Sequence, residues 1–380
     1  MAKKLKKSKT GLNPKTKFVL GSAVKGVISN QAVVDGSKEG PWWVAAIFFT
    51  ISVIVPLIPN FVKISKSNGG DFLSSANYGF DTTLSKYAYE MKKDEQQFVI
   101  EGGTLHYYDH GTLDDSKFET PDDAYIANGS QTKAYINPIN DQYDLRIFLW
   151  STELTSKQLS SYVNSIAKQQ FRRGTHVLKN EETDPEDSTY YTPNVLLLTP
   201  KTMAVALYKS NKTTQAATTL GGLDWLKVNS KDGLIDRLCA KAVEDGRMFT
   251  ITEDEFVNDY RYDVISAFRK ICTEAYLNQK VRTLWGNTGI YAGIYAGIIL
   301  FLGLMIFILT RGKNNPFRYL NVWHCQKIAW WAAFTPAILG MILAFVFSGN
   351  MIGQMAFILL LSLRIMWLSM KQLRPLPPQQ

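Results

Sequence analysis

The sequence sets imidazole beside carboxylate in His106-Tyr107-Tyr108-Asp109-His110. On a β-strand alternate side chains share a face, so His106 and His110 would point the same way. Two imidazoles and the Asp109 carboxylate are zinc or copper ligands, but a metal site takes three or four groups in fixed geometry. The next histidine, His176, lies far along the chain, and His324-Cys325 has no further ligand near it in sequence. Polar residues at a hairpin end are the better reading, and no metal or cofactor is expected. The chain has no Walker loop, GxSxG elbow or HExxH pair, so phosphate, nucleophile and zinc-hydrolase chemistry lack a motif. Cys239, Cys272 and Cys325 have no CxxC spacing and are too few for a disulfide framework. No catalytic residues are expected, and the chain reads as a non-enzyme.

One ionisable group stands where chemistry is least expected: Arg364, inside the apolar stretch 351–370. An intramembrane charge is a functional-site candidate by default. Lys371 is seven residues on, about 10 Å at helical rise, so the long side chain can also snorkel or bind helix-end carbonyls. A proton- or cation-coupled carrier needs a carboxylate at membrane depth, and no Asp or Glu follows Glu274.

These residues are positioned by apolar segments, and charge orders those segments. Residues 1–41 hold nine lysines against Asp35 and Glu39; residues 64–284 hold 25 basic and 31 acidic residues; residues 285–380 hold seven basic residues and no carboxylate. Two positive ends around a negative centre indicate a membrane sorting charge by side, whereas nucleic-acid binding favours one basic surface. Crossing the hydrocarbon core takes roughly 20 apolar helical residues. Four windows qualify: 42–62, which reads as an uncleaved signal anchor, then 286–310, 328–347 and 351–370. All basic clusters fall on one side if residues 1–41, the loop 311–327 and the tail 371–380 are cytoplasmic. The expected product is a multi-pass plasma-membrane protein, both termini inside, with residues 63–285 outside. In GIYAGIYAG, Gly289, Gly293 and Gly297 form a stripe that lets another helix approach closely, within the chain or between copies.

The outer region is long enough for a domain with its own core, and its pattern is α+β. Residues 80–93 read as a helix, and 98–108 as a hairpin turning at Glu101-Gly102-Gly103. Residues 125–136 and 144–150 have strand character, 154–171 helical spacing. Residues 195–198 and 203–208 read as strands joined by Thr199-Pro200-Lys201-Thr202. Residues 223–243 look like two short helices, 181–187 like a solvated acidic loop. Thr252 and Glu255 form a capping box for a helix that could run into the segment starting at 286 and couple the domain to it.

Three stretches then carry a resemblance: 98–105 (FVIEGGTL), 195–205 (VLLLTPKTMAV) and Tyr319 through 331–338 (WAAFTPAI). In this order, with an anchor before and paired helices after, the chain resembles uncharacterised bacterial multi-pass membrane proteins with an extracytoplasmic domain. Some of these are named MalA-type maltodextrin-utilisation proteins. The resemblance covers roughly residues 42–370, implies no catalytic residues, and implies a link to carbohydrate uptake. The lysine-rich leader and Ser348-Gly349-Asn350 have no counterpart in it. The expected role is an accessory, scaffold or sensor protein. Its partners would be the bilayer, an exported ligand and another membrane protein, such as a transporter or a second copy; nucleic acid is excluded. The alternative is a small-solute or lipid transporter component acting through its helices and Arg364.

Overall fold

The computed structural model describes residues 21–22, 25–26, 28–71, 73, 79–119, 133–136, 144–151, 171–172, 190–191, 194–211, 214–229, 232–313, 315–347 and 350–373. The chain divides into two compact units, Met1–Lys66 with Thr283–Gln380, and Ser67–Arg282. The expected helix 154–171, the acidic loop 181–187, His176 and the proline-rich end of the tail lie outside the described residues, apart from Phe171.

The first unit contains an unexpected helix, α1 (Asn30–Glu39). Ser29 caps it by accepting from the Ala32 N–H at 3.4 Å. Helix α2 spans Trp42–Lys66, beyond the expected end at 62. Pro56 and Pro59 shape it: each lacks an N–H, so the helix tightens to a 3-10 turn at Val55–Leu57 and restarts with Pro59 in its first turn, where no donor is needed.

The second unit opens with α3 (Phe80–Lys93). It continues through β1 (Gln96–Glu101) and β2 (Thr104–Asp109), an antiparallel hairpin whose two-residue turn puts Gly102 and Gly103 at φ 60° and 83°. Strand β3 (Thr112–Leu113) completes a three-stranded sheet. Next come β4 (Lys133–Ile136), β5 (Asp144–Leu149), β6 (Phe171–Arg172), β7 (Tyr190–Tyr191), β8 (Asn194–Leu198), β9 (Thr202–Asn211) and β10 (Thr214–Asp224). Five of these form a mixed sheet in the order β10-β9-β8-β5-β4, with β5 and β8 parallel and the other neighbours antiparallel. Every residue of β8 is buried, as its unbroken apolar run requires of a strand covered on both faces. In place of two helices over 223–243 there are a 3-10 turn, Trp225–Lys227, and α4 (Leu234–Glu244).

Helix α5 (Glu253–Leu309) starts at the expected capping box: the Thr252 N–H donates to Glu255 Oε2 at 2.8 Å, and the Glu255 N–H to Thr252 Oγ1 at 3.4 Å. Its residues Phe256, Val264, Phe268 and Ile271 join Leu84, Ile147, Leu196, Val205 and Leu238 in the core of the second unit.

The first unit ends with α6 (Val322–Val346) and α7 (Asn350–Lys371). Helix α6 begins six residues before the expected 328 and packs on α1, α2 and α7. Among the described residues three helices are long and apolar enough to cross a membrane: Trp42–Lys66, Glu253–Leu309 and Val322–Val346. Besides these helices there is a sheet-containing unit, Ser67–Arg282, to whose core the first half of α5 belongs, and at that level the α+β expectation is met.

Candidate functional site

Arg364 lies on α7 and is half-buried. Its Nε donates to Asn30 Oδ1 at 3.1 Å, one terminal nitrogen to the Ala332 carbonyl at 3.2 Å, and the other to the Gly26 carbonyl. The Ala332 carbonyl is one helical turn before Pro336, inside α6. Proline has no N–H to return to the carbonyl four residues earlier, so Arg364 supplies the missing donor. Lys327, expected in a cytoplasmic loop, is instead on α6 and 5% exposed. Its Nζ donates to the Gly40 carbonyl at 2.6 Å and sits 5.5 Å from the Trp42 ring centroid. A cation facing the last carbonyls of a helix is favourable. The two cations thus hold α1 at both ends. Between them Gly36 and Gly40 lie against Trp331, where a Cβ would come within 2.7 and 3.1 Å of the ring.

The glycine stripe is placed differently. A Cβ on Gly289, Gly293 or Gly297 meets nothing within 4 Å, so these residues make no close approach to another described part of this chain. Further along α5 and on α6 the intimate contacts are at Gly303, where a Cβ would be 2.3 Å from Gln326 Oε1, and at Gly340, 3.0 Å from Phe357 Cβ. Leucine at 289, 293 or 297 is therefore expected to leave the thermal midpoint of the detergent-solubilised chain within about 2 °C. Leucine at 340 drives side chain into Phe357 and its backbone, and overpacking of this kind costs about 1–3 kcal/mol; differential scanning fluorimetry checks both.

In the sheet-containing unit, Lys92 at the end of α3 pairs with Asp236 of α4 at 2.5 Å. Gln97 Oε1 accepts from the Phe98 and Ile235 N–H groups at 3.0 and 2.6 Å, tying β1 to the start of α4. Glu95 and His110 are the two described non-glycine residues with positive φ, 52° and 49°, and the His110 N–H donates to the Glu95 carbonyl at 3.1 Å. Beside this closure runs a groove of about 460 Å³, lined by Glu95, Gln96, Val99, Tyr108 and Phe249 among others. The Phe249 ring is 65% exposed. Tyr108 donates to Glu101 Oε1 at 3.0 Å, and that hydrogen bond raises the phenol above its ordinary pKa. Amides, carboxylates and one apolar ring suit the binding of a polar ligand, and the groove lining holds no nucleophile beside a base.

The histidines are separated. His106 Nδ1 is 2.8 Å from Asp115 Oδ2, and Asp115 also accepts from the Tyr107 N–H. His110 is not on the strand: its left-handed backbone turns it towards Asp109, 2.8 Å away. Among the described residues no group of three His, Cys, Asp or Glu is placed to hold a metal. His324 binds Asn321 Oδ1, the α6 cap. Cys239, Cys272 and Cys325 are unpaired and buried. Burial pushes the Cys239 thiol up to about 12, and the thiol rather than the reactive thiolate then persists at pH 8. Cys239 is expected to resist iodoacetamide at pH 8 in the folded chain and to react once the chain is unfolded, read by mass spectrometry. A raised thiol pKa contributes stability that is present below pH 9 and lost as pH rises towards 12.

No family model, curated protein or solved structure matches this chain. Function is read from the residues themselves. The sequence pointed to Arg364 but not to Asn30, Lys327, Gln326, Gln97 or Phe249. Lys327 was within reach of a charge scan, since it borders an apolar window; Phe249 and Gln97 acquire meaning only through folding.

Proposed function

We propose that the chain is a non-enzymatic integral protein of the plasma membrane, an accessory, scaffold or sensor whose sheet domain holds an exported partner or ligand at the groove beside Phe249. It crosses the bilayer four times, through α2, the Thr283–Leu309 part of α5, α6 and α7. Both termini are cytoplasmic and the sheet domain is extracytoplasmic, in keeping with the positive ends of the sequence. The family resemblance adds carbohydrate uptake as the process served. One observation carries the reading: both cations at helix depth, Arg364 and Lys327, are engaged by carbonyls and Asn30 of the chain itself. Charges spent on holding helices together leave recognition to the domain, which gives the transport reading less support.

The test is affinity purification of the full chain from native membranes in mild detergent, with co-purifying species identified by mass spectrometry. A stoichiometric partner or ligand lost on Phe249→Asp and retained on Gly293→Leu is expected. No partner in either sample, together with solute uptake abolished by Arg364→Leu but not by Arg364→Lys at equal expression, overturns the proposal in favour of transport.

A further inference from the structure

The first unit is short of negative charge. Its two segments, Met1–Lys66 and Thr283–Gln380, contain 18 lysines and arginines, while Asp35 and Glu39 are their sole carboxylates, both on α1. Several of these cations meet around the loop 311–320. Lys38, at the end of α1, lies 5.0 Å from the Phe317 ring centroid. The Arg311 guanidinium donates to the Arg318 and Leu320 carbonyls at 3.0 and 2.6 Å and lies 4.1 Å from the Phe307 ring. Asn315 Nδ2 donates to the Leu373 carbonyl at 3.0 Å, which brings in the end of α7, where Lys371 stands 4.5 Å from Trp367. Among the described residues none of Lys38, Arg311, Arg318 and Lys371 has a carboxylate within ion-pair distance.

Cations gathered this way repel one another unless counter-charge is supplied, and this part of the chain has almost none to give. The surrounding rings indicate where it comes from. Tyr319, Trp323 and Trp367 are 69%, 64% and 53% exposed, and amphipathic rings of this kind settle at the headgroup level of a bilayer. We propose that the ends of α1, α5 and α7, with the loop 311–320, form a binding surface for the phosphodiester headgroups of anionic phospholipids. Arg311, already fixed by two carbonyls, anchors the loop, while Lys38, Arg318 and Lys371 face the phosphates.

This inference rests on the membrane reading, so the experiment separates the two. Release of the full chain from native membranes by alkaline carbonate would overturn the membrane reading itself. A chain that stays is reconstituted into nanodiscs of equimolar phosphatidylcholine and phosphatidylglycerol, re-extracted, and its retained lipid counted by native mass spectrometry. The wild-type chain is expected to retain phosphatidylglycerol preferentially. Each cation removed in Lys38→Gln, Arg318→Gln and Lys371→Gln lowers that preference roughly fivefold, while Lys63→Gln with Lys66→Gln on α2 leaves it unchanged. Equal retention of the two lipids by the wild type, a preference that survives the triple substitution, or equal loss in the Lys63 and Lys66 variant overturns the proposal.

Discussion

Replacing Arg364 by leucine is expected to release α1 from its helices. Three acceptors lose their donor at once: the Gly26 carbonyl, Asn30 Oδ1, and the Ala332 carbonyl left open by Pro336. Hydrogen bonds to charged groups contribute about 1.5–3 kcal/mol each, and a buried acceptor left unpaired costs about 1–3 kcal/mol. Non-additivity reduces the sum, so a loss of about 3 kcal/mol is expected. Ser37 reports it, because it is 2% exposed in the docked helix. In a Ser37→Cys background, maleimide labelling should rise by roughly two orders of magnitude on Arg364→Leu, since about 1.4 kcal/mol corresponds to tenfold in the docking equilibrium. A second substitution isolates the proline. Pro336→Ala restores an N–H to pair with the Ala332 carbonyl, so Arg364→Leu should cost less in that background, by about 1 kcal/mol in a double-mutant cycle. Protection of Ser37→Cys that is indifferent to Arg364→Leu would sink the clamp.

Trp225→Ala should be the most damaging single change in the sheet-containing unit. The indole is fully buried, and its Nε1–H donates to the Thr199 carbonyl at 2.9 Å, in the turn between β8 and β9. The same 3-10 turn carries Leu226, against which Gly103 of the β1–β2 turn lies so closely that a Cβ would be 2.6 Å from Leu226 Cδ2. The Trp225–Leu226 pair thereby joins two turns to the core, and Trp225 supplies its buried anchor. Truncating a buried tryptophan costs about 3–5 kcal/mol, and the carbonyl left unpaired adds to it. For a unit of this size, about 4 kcal/mol corresponds to a drop of roughly 10 °C in the thermal midpoint. Trp225→Phe should recover most of the packing but not the hydrogen bond. A midpoint for Trp225→Ala within 2 °C of the wild type would contradict this account.

What could be read from the sequence was what local chemistry decides. The Gly102-Gly103 turn, the Thr252–Glu255 box and α3 all depend on residues within a few positions of one another, and they stand where the pattern put them. Strand β10 was missed because Thr214–Asp224 alternates nothing; it is held by its ladder to β9, with a register shift between Leu220 and Leu223. Helix α1 was missed because ten residues containing Gly36 make a marginal helix alone, and its docking depends on cations some 290 to 340 residues away in sequence. The groove was illegible for the same reason: Lys92, Gln97, Asp236 and Phe249 meet only when α3, β1 and α4 have packed.

The parallel pairing of β5 with β8 bears on the order of synthesis. Leu145 stands opposite Asn194, so the ribosome makes the whole intervening stretch before the centre of the sheet can close. Completion of the core comes later still, because Phe268, Ile271, Cys272 and Ala275 are the last of its residues to be translated. Until then the chain carries open strand edges, the state in which a nascent protein most readily aggregates. A stalled or truncated product ending before Glu253 would thus be a target for chaperones and proteases, and translation past Arg282 is the earliest moment at which this unit can protect itself.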